Sequence, residues 1–123
     1  MTPRTVAEHL ADVRRGGRIA GADRIGEAAA GGLLVRVGLW VDGEGSVVRA
    51  RYLATTCAAL IAYAEAACAL AEAPGAALPD AARLRRAVRG VHPIHHGRAD
   101  LVALALARAL QGSRQLAPTP EPT

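Results

Sequence analysis

The segment "LLVRVGLWVDGEGSVVRARYLATTC", Leu33–Cys57, decides the fold. Two runs rich in β-branched residues, Leu33–Val41 and Ser46–Ala54, flank the turn sequence DGEG. Such runs around a short glycine-containing turn predict an antiparallel hairpin. The second run alternates between two faces, one with Val48, Ala50 and Tyr52 and the other with Val47, Arg49, Arg51 and Leu53. We therefore expect one face of the sheet to meet solvent and the other to meet a helical layer.

Helical patterns surround this hairpin on both sides. Apolar residues at helical spacing predict a first helix over 5–15, ended by Gly16 and Gly17, and later helices over 57–72, 79–89 and 98–111. The segment "GADRIGEAAAGG", residues 21–32, consists mainly of small residues and predicts a loop or a weak edge strand. This order predicts an α+β fold, with helices packed on one face of a small antiparallel sheet of two to three strands.

Length and composition limit the domain organisation and the function classes. The 123 residues predict one domain over 1–112 and a disordered, proline-rich tail over 113–123. All fifteen basic residues are arginines in a chain with only one Trp and no Phe, so stacking on nucleic-acid bases is disfavoured despite the net charge of +4. The absence of a signal core or membrane-spanning run predicts a cytoplasmic protein with no membrane partner.

The two cysteines, Cys57 and Cys68, have different predicted roles. Thr55 and Thr56 are suited to cap the helix, which places Cys57 in its first turn, where the helix dipole lowers the pKa of a thiol. Cys68 lies eleven residues further on, about 16 Å along the same helix, so the two sulfurs cannot pair within it. We interpret Cys68 as a packing residue and Cys57 as the candidate functional thiol.

The order of these motifs resembles the NifU/IscU-type scaffold domain of iron–sulfur cluster assembly. That family has a segment E-H-x-x-x-P-R-N-x-G, then G-x-A-x-x-C-G-D, a hairpin, a G-C junction that opens a long helix, and a later L-P-P-x-x-x-(H)-C before the last helix. This chain carries "EHLADVRRGG" at 8–17, "GEAAAGG" at 26–32, "YLATTC" at 52–57 and "VHPIHHG" at 91–97. The matching residues are Glu8, His9, Arg14, Gly17, Gly26, Gly31, Cys57 and Pro93. The resemblance covers residues 5–111 and implies a scaffold fold that assembles a cluster.

The chain departs from the family at most of its ligand positions. Ala30 and Arg98 stand at the first and third cysteine positions, and only Cys57 remains. Gly32 and Gly97 replace the family's aspartate and histidine. Because a cluster generally takes four ligands, mainly thiolates, three-cysteine scaffold chemistry is not expected from these residues.

The segment "HPIHHG" offers replacement ligands. His92, His95 and His96, with Cys57 and with Asp100 or water, could hold an iron or zinc ion or a labile iron–sulfur cluster. The alternative is a proline-containing loop whose histidines are solvated or cap backbone groups. The same loop keeps a hydrophobic–x–Pro–hydrophobic outline, and the resemblance implies that a chaperone grips it.

The sequence thus predicts a non-enzymatic, scaffold-like protein of iron–sulfur cluster assembly that binds iron or zinc through Cys57 and the 92–96 loop. Its expected partners are a sulfur donor, a chaperone or a recipient protein. The alternative is a degenerate scaffold fold that binds partners without a cluster. A small enzyme with Cys57 as nucleophile and His95 or His96 as base is disfavoured, because no residue in view orients such a base.

Overall fold

The computed structural model describes residues 3–73 and 78–112. In chain order, the helices and strands are β1 (Arg4–Thr5), α1 (Val6–Ala11), β2 (Arg24–Ala30), β3 (Leu33–Val41), β4 (Val47–Ala54), α2 (Ala58–Glu72), α3 (Ala81–Ala87), β5 (Val88–Arg89), a 3₁₀ turn (Pro93–His95) and α4 (Arg98–Gln111). The predicted tail over 113–123 lies outside the described residues.

Three antiparallel strands form the main sheet in the order β2-β3-β4. Helices α2 and α4 pack on this sheet, so the predicted α+β class with helices on an antiparallel sheet is confirmed. A second, two-residue ladder pairs β1 with β5 in parallel, joining the N-terminal segment to the chain that follows α3. Within the described ranges, none of the helices has both the length and the apolar character needed to cross a bilayer.

The hairpin of β3 and β4 is confirmed at nearly the predicted bounds. Ala50 and Tyr52 are buried on the helix side, and Leu53 is exposed on the opposite side, as the alternation predicts. Val48, which the alternation places on the same face as Ala50 and Tyr52, is 58% exposed. It lies where the register of the hairpin shifts between Trp40 and Val41, and such a bulge interrupts the regular alternation of faces.

The small-residue segment forms a full seven-residue edge strand, β2, and not a loop. Its small side chains permit the contact with α4, because Gly26 and Ala28 are buried on the face that meets this helix. A Cβ added to Gly26 would lie 2.2 Å from the carbonyl oxygen of Ala105 and 2.2 Å from the backbone nitrogen of Ala109. The glycine therefore sets how closely strand and helix approach.

The first helix is shorter than predicted, since it ends at Ala11 and not at residue 15. The following residues extend along the outer edge of β4, where Arg15 O accepts from Tyr52 N and Gly17 N donates to Tyr52 O. The backbone N–H groups of Arg14 and Arg15 both donate to the carboxylate of Glu65, at 3.2 and 3.1 Å. These tertiary bonds compete with the helical continuation that the apolar spacing predicted.

Glu65 is a buried acidic residue in the middle of the alanine-rich helix α2, with only 2% of its surface exposed. Tyr52 Oη donates to Glu65 Oε1 at 3.2 Å, and Arg15 Nη1 donates to Oε2 at 3.2 Å. Two helical turns further along α2, Glu72 accepts hydrogen bonds from Arg15 Nε, Arg51 Nη1 and the backbone nitrogen of Ala50. The two carboxylates thus join α2 to β4 and to the segment after α1.

The predicted third and fourth helices are confirmed with one change. Asp80 caps α3 by accepting from Arg83 N at 2.8 Å, as its position after Pro79 predicts. The helix ends at Ala87, and residues 88–89 form β5 instead of a last helical turn. Helix α4 has the predicted bounds, and its buried face is rich in small residues.

We expect Gly26→Ala to destabilise the protein by about 3 kcal/mol, because the new methyl group would overlap the backbone of α4. Urea unfolding followed by circular dichroism measures this change in the free energy of unfolding. Gly43→Ala is the matched control, because a Cβ there meets no atom within 4 Å, and it should change stability by less than about 0.5 kcal/mol. Equal stability of the two variants would contradict the close packing of β2 on α4.

Candidate functional site

Arg98 lies beside two other parts of the chain that are distant from it in sequence. Cys57 is the N-cap residue of α2, separated from β4 by two residues, and Arg98 is the first residue of α4 and acts on the Cys57 thiol. Ala30 ends β2 and lines a cavity of about 410 Å³ together with Arg98, Gly31, Leu33 and Asp100. Arg98 therefore links the positions 30, 57 and 98, which the resemblance assigns to the three family cysteines.

The turn between β2 and β3 consists of two glycines, Gly31 and Gly32, between the paired residues Ala30 and Leu33. Their φ angles are +56° and +80°, which are accessible to glycine at little cost and match a tight hairpin turn. At the family's aspartate position, Gly32 contributes this backbone conformation and no ligand atom.

Cys57 lies at the N-terminus of α2, but the threonines before it do not cap the helix as predicted. Thr55 instead bonds to β3, since its Oγ1 accepts from Leu34 N at 3.1 Å and its backbone nitrogen donates to Leu34 O at 3.0 Å. Cys57 takes the N-cap position itself, with an extended backbone and no capping bond from its side chain. Its thiol therefore lies beside the unpaired N–H groups of the first helical turn.

The pKa of the Cys57 thiol is lowered from its ordinary value. Partial burial acts to raise the pKa, but the backbone N–H of Leu60 and the guanidinium of Arg98, both near the thiol, lower it by more. The predicted direction is confirmed, and the guanidinium of Arg98 contributes to it beside the helix terminus. The Cys57 thiol thus ionises more readily than an ordinary cysteine thiol, and Arg98 is one cause.

Arg98 is held in this place by the chain around it. Its Nη1 lies 3.5 Å from the carbonyl oxygen of Ile94, and its Nε is buried with no hydrogen-bond partner among the described residues. The guanidinium at the family's third cysteine position is therefore partly buried, and it lies near enough to Cys57 to lower the pKa of the thiol.

The loop histidines mostly bond to their own loop. His92 Nδ1 accepts from Ile94 N at 3.2 Å and caps the 3₁₀ turn, while His96 Nε2 donates to Val91 O at 3.2 Å. His95 lies edge-on to His92 with ring centroids 6.3 Å apart, and its Nδ1 is buried and unpaired in the described structure. Two of the three imidazoles thus fit the alternative of a self-capped loop.

Asp100, the predicted fourth ligand, lies on α4 and accepts from Arg85 Nη1 of α3 at 3.0 Å. This ion pair links two helices at an exposed position.

Over residues 3–73 and 78–112, no three His, Cys, Asp or Glu side chains are close enough to hold a metal ion together. The predicted ligands Cys57, His92, His95, His96 and Asp100 are consequently not assembled into one site. A cluster needs several thiolates, and the donors around Cys57 are one thiol, a glycine turn and a guanidinium. The residues present do not fit a resident iron–sulfur cluster.

Cys68 is fully buried in the core of α2, and burial raises the pKa of its thiol far above the ordinary value. Its predicted packing role is confirmed. His9, which matches the family's histidine in the resemblance, is also buried, with 1% of its surface exposed. Neither ring nitrogen of His9 has a hydrogen-bond partner in the part of the chain described.

Sequence reasoning missed the charged cluster of Arg15, Glu65 and Glu72, although an acidic residue at mid-helix among alanines is a signal that a buried partner exists. Neither the family models nor the curated proteins with which the chain was compared yield a match.

We expect Arg98→Gln to raise the pKa of Cys57, because it removes a cation that stabilises the thiolate. The midpoint of the pH profile for iodoacetamide labelling should move to higher pH, and Arg98→Lys should restore part of the shift. Arg86→Gln, on the exposed side of α3, is the matched control. An unchanged profile in Arg98→Gln would mean that the guanidinium does not act on the thiol.

We also expect a pH dependence of stability from His9. Burial, with a smaller effect from Arg4, lowers the pKa of His9 below 6.5, so the unfolded chain binds the proton more tightly. Stability due to the neutral imidazole is present above pH 6.5 and is lost as the pH falls toward the pKa of the folded state. Chemical unfolding between pH 5 and 8 should show this loss, which His9→Leu should reduce. An identical pH slope in both proteins would assign it to other groups.

Proposed function

We propose that this protein is a scaffold-like protein of iron–sulfur cluster assembly that binds protein partners without holding a cluster of its own. The observation that carries this proposal is that Arg98 both acts on the Cys57 thiol and lines one cavity with Ala30, which brings position 98 next to positions 57 and 30. That convergence is what a scaffold with three cysteine ligands would require, since its ligands come from the same three parts of the chain. It supports the resemblance that the motif order suggested.

The chemistry at this meeting point favours partner binding over cluster assembly. The positive charge of Arg98 beside Cys57 lowers the pKa of the thiol without any metal. Arg98 also repels a metal cation from the position that a third thiolate would occupy. The proposed function therefore is non-catalytic and needs no cofactor.

The loop at 91–97 supports a protein-binding role. Ile94 is 68% exposed, which is the highest exposure of any large hydrophobic side chain among the described residues. It follows Pro93 in the 3₁₀ turn. The internal bonds of His92 and His96 fix the shape of the loop and present Ile94 outward. A sulfur donor, a chaperone or a recipient protein of cluster assembly is the class of partner that we propose.

A single iron or zinc ion held by Cys57 with His95 or His96 is the second candidate. The lowered pKa of Cys57 and the unpaired Nδ1 of His95 favour it. It requires the loop to move, because these donors are not assembled with a third ligand in the described structure.

Anaerobic reconstitution with ferrous iron and sulfide tests the proposal. We expect the unmodified protein to retain well below one iron per chain and to show no visible cluster absorbance. We expect the double variant Ala30→Cys/Arg98→Cys to gain both iron and absorbance, because it returns thiols to two converging positions. Cys57→Ser in the double variant is the matched control and should abolish the gain.

Three results would contradict the proposal. A cluster in the unmodified protein would contradict it, and one tightly bound metal that is lost in Cys57→Ala and His95→Ala would establish the second candidate instead. A folded double variant, verified by circular dichroism, that still binds no iron would contradict the convergence of the three positions.

A further inference from the structure

The open edge of the main sheet lies along β2. The opposite edge, β4, is occupied, because Tyr52 bonds to Arg15 and Gly17 and the backbone nitrogen of Ala50 donates to Glu72. No strand of the described chain pairs with the outer side of β2. Unpaired strand edges are templates for the addition of another strand.

The hydrogen-bond pattern determines which residues of β2 point outward. The backbone of Leu34 bonds to Thr55, toward β4, so the main-chain groups of Val35, Val37 and Leu39 point toward β2. Their register partners are Ala28, Gly26 and Arg24, which leaves Ile25, Glu27 and Ala29 with N–H and C=O groups on the open edge. Of these groups, the carbonyl of Glu27 accepts from Arg108 Nη1 at 2.9 Å.

A groove of about 840 Å³ runs along this edge, between the outer sheet face and the end of α4. Its apolar surface includes Ile19, Ile25 and Leu53, and it carries three guanidinium groups, those of Arg18, Arg36 and Arg108. One carboxylate, Glu27, lines the groove and pairs with Arg36 at 2.6 Å. Among the described residues, Arg18 has no ion pair and Arg108 bonds only to the backbone carbonyl of Glu27, so the groove is positively charged.

We propose that the β2 edge and its groove bind an extended acidic segment of another protein by strand addition. Main-chain bonds to Ile25, Glu27 and Ala29 would supply binding, and alternate side chains of the segment would meet the apolar surface and the arginines. Charge complementarity favours an acidic partner, because the groove carries three arginines and only one carboxylate, Glu27. This surface is separate from the Cys57 centre, and the inference does not rest on the proposed function.

The test uses the full chain and a fluorescein-labelled peptide of sequence EVEVEVE with an amidated C terminus. We expect saturable binding by fluorescence anisotropy that weakens as salt rises, and slowed hydrogen exchange of the Ile25, Glu27 and Ala29 amides in nuclear magnetic resonance spectra. The peptide KVKVKVK is the matched control and should not bind.

Two variants separate strand addition from simple charge attraction. Ala29→Pro removes one edge N–H at a position where an edge strand tolerates proline, and it should reduce affinity about tenfold. Arg18→Glu should reduce affinity by reversing a groove charge, whereas Arg86→Glu, outside the groove, should not. Circular dichroism verifies that each variant is folded.

Several outcomes would overturn the inference. They are a failure of the acidic peptide to bind, equal binding of the lysine peptide, and unchanged binding by Ala29→Pro. If the β2 edge amides already exchange slowly in the monomer without peptide, residues 113–123 of the same chain are the occupant. If they exchange slowly only when analytical ultracentrifugation shows a dimer, the occupant is a second copy of the chain.

Discussion

A buried carboxylate, Glu65, is the interaction on which the rest of this structure depends. It accepts hydrogen bonds from two backbone groups, a guanidinium and a phenol, which belong to the segment after α1 and to β4. A charged group in such a place is tolerated only when it is fully hydrogen-bonded, so all four donors must be present together. Because Glu65 lies on α2, the same helix that presents Cys57, these bonds also fix the helix relative to the sheet.

The small residues at the contact of β2 and α4 have a second, complementary effect. Glu65 holds α2 in place by polar contacts. At β2, Gly26 lets α4 approach the sheet closely, because it places no side chain between the strand and the helix. The start of α4 is thereby brought to the end of β2, so Arg98 meets Ala30 and Cys57. The geometry of the candidate site is a result of packing that lies some distance from it.

Much of the fold was predictable because it depends on local patterns. The β3–β4 hairpin, the Asp80 cap and helix α4 follow from alternation, capping chemistry and helical spacing. The errors occurred where tertiary contacts override such patterns. The helix predicted over 5–15 ends early because Glu65 binds the N–H groups of Arg14 and Arg15. The small-residue segment, which was predicted as a loop or a weak edge strand, forms the edge strand β2, with α4 covering one of its faces.

The candidate site was predictable in part. The sequence identified Cys57 and the direction of its pKa, but it could not show that Arg98 turns toward the thiol or that His92 and His96 bond to their own loop. Those facts depend on side-chain directions, for which residue spacing carries no information. The family resemblance named the positions that converge, while the chemistry at those positions belongs to this chain alone.

The parallel pairing of β1 with β5 has a consequence for how the chain folds. Arg4 and Thr5 meet Val88 and Arg89, so the whole main sheet and the helices α1, α2 and α3 lie between the two partners in sequence. Closing so long a loop for a two-residue ladder is entropically costly, and we expect it only after the sheet and α2 have formed. The N-terminal layer is then the last part to assemble during synthesis and the first to open in the native state, so slow amide exchange should be sparse there and dense in the sheet.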